Sequence, residues 1–584
     1  MHEKAGAVEQ QAIKDSHNED ENQFKFTFGV FMAMVALTSG YMSAVFCIQM
    51  ASIALVTINE DIGPSPSFTW IANSQVIPVA IFGPLVGRLG DIFGRRQSIM
   101  LGNLSGLIGC VISATATRVE VVIGGGIFIG LATSLQQQAW ASLGEIVPKK
   151  YRGLTLGLFE LANIAPGAFG PIIGAAIVKG AGWRWVYWFP FILNTIGFFL
   201  IFLFYRPKNQ YIKEAGRTRM QEVMDLDWIG IALWGVGLTL FLLGISFGGN
   251  QLAWKSGGTI AMIVIGLLML VALGFYEAYV PQVLPLFPGV VLRKIRGVTL
   301  VLIGTFLFGM LYYSTAVLWP QQTQALYTHN IIDVGWYGCA LGMAGIPTSV
   351  ITGYLFGKIG HARIMFTVII AVGTIGAGLM ALVTPTSSTE STVFVAMIGL
   401  CTGGGFVVAA AMIQLAVEHE YIGIATALCV TARNVGGAVA TVIYTAIFTG
   451  RLKFYVSKYV VMGLLKAGVA PASLLGATFA LLGEGPETGL AGLTPAQIEV
   501  GLNGVKQSYA HALRIVYLSS IGFGVIGTVC VAFTKNCDDK MTNQVDIKLN
   551  EGAKLTGITD EGKGHIISVE EQENLRHRHQ HQSN

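Results

Sequence analysis

Gly87-Arg88-Leu89-Gly90-Asp91-Ile92-Phe93-Gly94-Arg95-Arg96 separates two apolar runs, Trp70 to Val86 and Ser98 to Ala116. Each run is long enough to cross the hydrocarbon core of a bilayer as a helix. The stretch between them therefore predicts a tight loop joining two membrane helices. Its arginines would serve topology by themselves. The spacing asks for more: Asp91 follows Gly87 by four residues, Gly94 follows Asp91 by three, and a pair of arginines comes next. Glycine permits a short turn and a close approach of helix ends. Asp91 is placed to pair with Arg95 or Arg96 and to act on a neighbouring helix terminus. A degenerate echo stands at Gly353-Tyr354-Leu355-Phe356-Gly357-Lys358-Ile359-Gly360-His361-Ala362-Arg363, with Gly357 where Asp91 stood. Two such stretches predict an internal repeat.

The rest of the composition agrees with a membrane protein. Of 584 residues, 53% are apolar and 12% charged, and the mean hydropathy is +0.61. Those values exclude an ordinary soluble domain. Six of the seven cysteines lie inside apolar runs and Cys537 lies just past the last. They read as packing residues, so neither a disulfide frame nor a metal site is expected. The polar, acidic N-terminus carries no cleavable signal pattern.

Apolar runs predict about fourteen spans, near 27–57, 69–87, 98–116, 120–146, 153–178, 185–205, 226–247, 258–280, 297–319, 335–357, 363–383, 391–416, 423–448 and 512–534. With the N-terminus cytoplasmic, the short inner connections carry sixteen Lys and Arg against four in the short outer ones, Arg118, Lys179, Arg184 and Lys255. That bias predicts both termini cytoplasmic. The repeat pairs the first six spans with the last six. Ser43-Ala44-Val45 with Gln49 matches Thr315-Ala316-Val317 with Gln321, and Leu161 to Ile177 echoes Thr431 to Ile447. The expected organisation is a disordered tail 1–25, a six-helix half 26–205, a linker with two inserted helices 206–296, a second six-helix half 297–534 and a disordered tail 535–584. The histidines from His577 onward belong to that last tail. The outer segment 450–510 begins a helix at Thr494-Pro495 and is expected to be helical and packed over the outer face.

No G-x-x-x-x-G-K-[ST] occurs, so energy is expected from a gradient and not from nucleotide bound by this chain. No catalytic triad, metal-ligand spacing or dinucleotide fingerprint stands out. No enzyme activity, cofactor or nucleic-acid partner is expected. Intramembrane charge is the sharper clue, because it is costly in lipid. Glu160 and Arg433 are the two ionisable residues well inside spans, and Glu160 is the candidate proton carrier with Arg433 its candidate partner. Glu145 is placed to pair with Lys149.

The pattern at Gly87, Leu89, Asp91, Gly94, Arg95 and Arg96 resembles the loop between helices 2 and 3 of the major facilitator superfamily. That resemblance implies an all-α membrane protein of two pseudo-symmetric six-helix halves, here with two inserted helices. It places a substrate cavity between the halves near the bilayer midplane, walled by spans 1, 4, 9 and 12. Those spans offer Gln49, Thr133, Gln136, Gln137, Tyr312, Tyr313, Gln321 and Gln414 as candidate cavity residues, suiting a bulky apolar ligand with several hydrogen-bonding groups. Gly157, Pro166, Gly170, Pro171 and Gly174 are similar to the antiporter motif of facilitator exporters, with Pro166 and Ala175 replacing glycines. Nearly the whole chain resembles the fungal fourteen-span drug:proton antiporters, and the trichothecene efflux branch above all. Gln138-(x6)-Glu145-(x2)-Pro148-Lys149, Gly182-Trp183-Arg184-Trp185 and Ser508-Tyr509-Ala510 carry that likeness. It implies a monomer, multi-pass in the plasma membrane or a vesicular or vacuolar membrane. Its substrate would be a toxin, secondary metabolite or drug-like compound, exported in exchange for protons. Proton-coupled siderophore uptake on the same fold is the alternative, and a non-transporting membrane sensor the second. Two positions depart from the exporters: Gly126 stands where the span-4 motif has Arg, and Cys47 where the span-1 motif has Asp.

Overall fold

A computed structural model describes residues 28–63, 65, 70–147, 151–207, 219–248, 252–280, 282, 284–328, 330–418, 421–481 and 493–537. The tails 1–25 and 538–584, Lys149, and most of the linker after Arg206 lie outside the described residues. Among the described residues, thirteen helices are long and apolar enough to cross a membrane. They are spans 1 (Phe28–Ile62), 2 (Trp70–Phe93), 3 (Arg95–Ala114), 4 (Val119–Gln136 continued by Ala139–Ile146), 6 (Trp185–Phe204), 7 (Trp228–Phe247) and 8 (Gly257–Tyr279). The others are spans 9 (Ile295–Thr299 continued by Leu300–Leu326), 10 (Ile331–Ile359), 11 (Ala362–Leu379), 12 (Ser388–Ala416), 13 (Ile422–Val456) and 14 (Pro495–Ala532). The fourteenth, span 5, is broken into Arg152–Ala162, Ile164–Gly167 and Gly170–Ala181. Pro166 and Pro171 remove two backbone donors from it, and a helix that loses them bends or breaks. The fold is all-α with about fourteen spans, as expected.

The opening stretch is corrected in detail. Gly87 to Phe93 is not a loop but the last two turns of span 2. The reversal falls on Gly94 alone, at φ 90°, ψ 139°, a conformation closed to residues with a Cβ. In the echo, Gly360 (φ 70°) and His361 (φ 54°) make the equivalent reversal. We call the face carrying these two turns the inner face.

The halves meet along two seams built from equivalent helices. Span 5 packs on span 10, and span 13 packs on span 2. Small residues allow this close approach of backbones. A Cβ on Gly157 would come within 3.0 Å of Val350 Cα, and one on Gly87 within 2.9 Å of Ala427 Cβ. Gly170 and Gly174 set the other side of span 5 against Gln49 and Met50 of span 1, so the motif wedges this helix between the halves. Spans 7 and 8 pack on each other, and span 7 also touches spans 2 and 13.

The described parts of the outer segment, 450–481 and 493–510, are mostly helical and carry a small core of their own. Span 13 runs on through Ser457–Val461 and Met462–Lys466. Span 14 starts with a capping box in which Thr494 and Gln497 each satisfy the other's backbone donor. Between them, helix Pro471–Leu481 buries Leu474, Ala477 and Leu481 against Val456, Val460, Leu464 and Val505.

Candidate transport cavity and gate

A cavity of about 1150 Å³, its mouth included, lies between the halves on the outer side. Its walls are mostly apolar, from Ile48, Val76, Val317 and Leu341 among others, with hydrogen-bonding groups placed between them at Gln49, Asn73, Tyr312 and Tyr313. The mixture of walls suits a largely apolar molecule with a few hydrogen-bonding groups. Trp70 and Trp319 stand near the outer end.

The tyrosines make its floor. Tyr313 donates to Asn434 Oδ1 at 2.9 Å, and Asn434 Nδ2 donates to Gln137 Oε1 at 3.2 Å. This chain crosses from the second half to the first and ends at Gln137, in the lining of a smaller inner cavity of about 360 Å³. Beside the floor, the Arg433 guanidinium stands 5.1 Å from the Tyr312 ring centre, 5.8 Å from Phe308 and 4.4 Å from Phe406. Ring faces attract a cation there. Its Nε has no hydrogen-bond partner among the described residues. Glu160 of the other half is close enough to couple electrostatically with Arg433, yet no ion pair joins them. Both are half-buried.

Below this layer the inner side is shut. Arg95 and Glu145, both buried, form an ion pair. Asp91 and Arg95 lie so close to the start of span 13 that a Cβ on Gly423 would stand 2.7 Å from Asp91 Oδ1 and from Arg95 Nη2. A carboxylate at a helix N-terminus meets the positive end of its dipole. The complementary contact is Arg152, wholly buried, which donates to Gln414 O at 3.3 Å, near the carboxyl end of span 12. The first half thus sets a charge of favourable sign against two helix ends of the second, Asp91 at the start of span 13 and Arg152 at the end of span 12. Trp140 of span 4 meets Phe406 of span 12 edge-on at 4.5 Å. The structure is open outward and closed inward.

A profile of the fungal trichothecene efflux pump (TRI12) family matches residues 5–566. The chain belongs to that family. The trichothecene efflux pump TRI12 of Trichoderma arundinaceum is 28% identical over 536 residues, covering 88% of each chain. The MFS-type transporter prx5 of Penicillium rubens is 25% identical over 531 residues, 89% of this chain and 94% of that one. Among solved structures, the proton:xylose symporter XylE aligns with TM-score 0.54 at 14% identity, over 88% of this chain and 98% of that chain. The human organic anion transporter MFSD10 aligns with TM-score 0.52 at 10% identity, over 86% and 99%. These two likenesses establish the major facilitator fold and carry nothing about substrate. Family and fold are those of a multi-pass transporter of small molecules.

With the efflux-pump family in hand, the candidate residues divide. Gln49, Tyr312 and Tyr313 line the outer cavity, and Gln137 lines the inner one. Four others are corrected. Gln136 is buried and donates to Asn103 Oδ1 at 2.6 Å and Asn194 Oδ1 at 2.8 Å. Thr133 bonds its own helix at Ile129 O. Gln414 donates to Trp140 O and Thr426 inside the closed seam. Gln321 is exposed and outside the cavity lining. Consecutive helical residues point about 100° apart: Gln137 and Gln138 both border the inner cavity, Gln138 also donating to Val86 O at 2.7 Å, while Gln136 packs away from it. No residue of spans 4 or 12 stands in the lining of the outer cavity; spans 2, 5, 7, 10 and 13 complete it beside spans 1 and 9. Glu145 pairs with Arg95; its expected partner Lys149 lies outside the described residues. Arg96 turns away from Asp91 to Phe202, donating to its carbonyl at 2.5 Å. Sequence reasoning singled out neither Arg152 nor Asn434. The departures from the exporter motifs also have local reasons. A Cβ on Gly126 would collide with Ser74 Oγ, leaving no room for an arginine, and Cys47 Sγ lies 3.7 Å from Cys110 Sγ in a dry core.

Proposed function

We propose that this transporter exports an apolar secondary metabolite of the trichothecene type in exchange for protons, with Glu160 as the proton carrier and Arg433 as its counter-charge. The observation that carries the reading is the floor of the outer cavity. Tyr312 lines the cavity on one face and holds Arg433 against its ring. A substrate resting on Tyr312 therefore presses on the group that decides whether Glu160 is tolerated as an anion. A carboxylate in the apolar middle of a membrane is costly unless a cation is near, so moving Arg433 and taking up a proton become alternatives. Release of substrate outward and binding of a proton are then linked events. The rings that hold Arg433 come from the second half and Glu160 from the first, so rocking of the halves alters their separation. The relative in Trichoderma, named a trichothecene efflux pump, supports the substrate class and the direction.

The test is transport of a labelled trichothecene into inside-out vesicles with and without an imposed pH gradient. The wild type is expected to concentrate it when protons run the other way. Glu160→Gln is expected to keep binding and passive exchange but lose accumulation. A Glu160→Gln protein that still concentrates the compound when only protons drive it places the carrier elsewhere.

A further inference from the structure

The two seams between the halves use equivalent helices and close differently. Span 5 follows span 10 from the inner end to the outer one. Gly153 approaches Phe356 at the bottom, Gly167 meets Gly342 midway, and Gly338 and Gly335 admit Pro171 and Ile172 near the top, with a Cβ on either only 3.1 Å from its neighbour. Span 13 follows span 2 only over the inner half, where Gly87 meets Ala427 and Gly83 meets Thr431. Farther out, span 7 packs against both helices. Its Leu238 and Leu242 share a buried cluster with Ala80 of span 2 and with Val435 and Ala438 of span 13. Trp234 Nε1 donates to Ile81 O at 3.0 Å, and Phe247 meets Trp70 edge-on at 5.4 Å.

The outer cavity reaches this inserted helix. Leu242 and Ser246 stand in its lining between Asn73 and Val76 on one side and Ala438 and Val442 on the other. Leu242 is wholly buried, although it belongs to a pair of helices outside both six-helix halves. Span 8 behaves otherwise: it packs on span 7 through Gly237, Gly244 and Gly266 and exposes Leu267, Leu268 and Phe275, the surface of a helix that meets lipid. Without span 7 the cavity would open sideways between spans 2 and 13, and hydrocarbon chains would compete with an apolar cargo for the same walls.

We infer that span 7 is a wall of the substrate cavity, and that Ser246, backed by the buried Leu242, touches the transported molecule and limits its breadth on that side. This rests on the substrate reading above, and the test separates the two. Ser246→Cys and Asn73→Cys are made singly in the full-length chain, with Val271→Cys on the exposed face of span 8 as a comparison. Each is exposed to a charged, water-soluble methanethiosulfonate with and without saturating trichothecene, and read against the unmodified protein, whose cysteines are buried except the half-buried Cys530. The expected result is labelling of Ser246→Cys, slowed at least tenfold by the trichothecene, as for Asn73→Cys, with Val271→Cys unaffected by it. Protection of Asn73→Cys without protection of Ser246→Cys overturns the inference and leaves the substrate reading standing. Protection of neither overturns both. A Ser246→Cys protein that the reagent does not label overturns the inference, whatever the trichothecene does.

Discussion

Removal of the Glu145 carboxylate should open the inner side. In the inward-closed state Glu145 and Arg95 are almost entirely shielded, with 3% and 6% of their side chains exposed. Taking one partner from a buried ion pair costs about 3–5 kcal/mol, because the other charge stays behind undischarged. Asp91 lies against Arg95 at Gly423 and takes up part of the orphaned charge, so the lower figure applies. When the inner side opens, Arg95 reaches water and that penalty disappears. About 3 kcal/mol thus works on the equilibrium between the two states, roughly 150-fold in their ratio. The assay is a distance distribution between spin labels on the inner ends of spans 5 and 10, at Tyr151→Cys and Ile359→Cys, both exposed. Glu145→Ala should move the population from a short to a longer distance. Replacing both partners, Arg95→Leu with Glu145→Leu, should bring much of it back, since an apolar pair of similar volume carries no stranded charge. An unchanged distribution in Glu145→Ala would refute the assignment of this pair to the gate.

Other perturbations separate gate, core and surface. Asp91→Asn should lower turnover with folding and membrane delivery intact, because it removes the charge facing the start of span 13; normal transport rates in that variant would reduce the stretch to topology. Gln136→Ala should leave substrate preference alone and reduce thermal stability. It leaves buried Asn103 Oδ1 without its donor, at about 1–3 kcal/mol, whereas Asn194 Oδ1 still accepts from Ser43; a changed competition profile with unchanged melting would contradict this. On the outer side, past the membrane-crossing part of span 1 (Phe28–Leu55), Trp183 Nε1 and Arg184 Nη1 both donate to Asp61 at 2.9 Å. The Trp183 bond first, then Arg184, holds the Asp61 carboxyl below its usual range. A depressed pKa means the contact stabilises at neutral pH and is lost as pH falls through the folded value. The difference in melting between wild type and Asp61→Asn should be small at pH 7, for an exposed group, and vanish in acid; a difference that grows on acidification has the wrong sign.

The helices were legible because each apolar run must satisfy the length of a bilayer, but span 5, expected as one span near 153–178, is broken into three pieces around Pro166 and Pro171. The Gly94 turn was legible in kind but not in extent: glycine frees a turn, yet nothing in Gly87 or Gly90 says that span 2 will stay helical past them until the seam with span 13 is known. Which amide faces the cavity was not legible. Side-chain direction changes by about 100° per residue, and a span's rotation is fixed by its neighbours, so Gln136 and Gln137 were indistinguishable until Asn103 and Asn194 claimed the first and Asn434 the second. Arg152 was read as a loop charge since its partner is a backbone carbonyl, Gln414 O, which leaves no mark in sequence. Glu160 and Arg433 could be singled out by their cost in lipid, but their approach depends on how two halves dock.

Span 13 does not stop at the membrane. It continues as helix to Lys466, and from Arg433 that is roughly 50 Å at about 1.5 Å per residue. The cluster around Val460 and Leu464 and the Tyr455–His511–Tyr459 stack, with ring centres 5.4 and 5.2 Å apart, tie this rod to span 14. A rod fixed at one end to the floor of the cavity magnifies what happens there. If the second half tilts by about 10°, within the range of known rigid-body switches, the tip sweeps through roughly 9 Å while Arg433 itself hardly moves. The protein thus carries its own pointer, and a fluorophore pair between its tip and the outer end of span 1 would count transport cycles one molecule at a time.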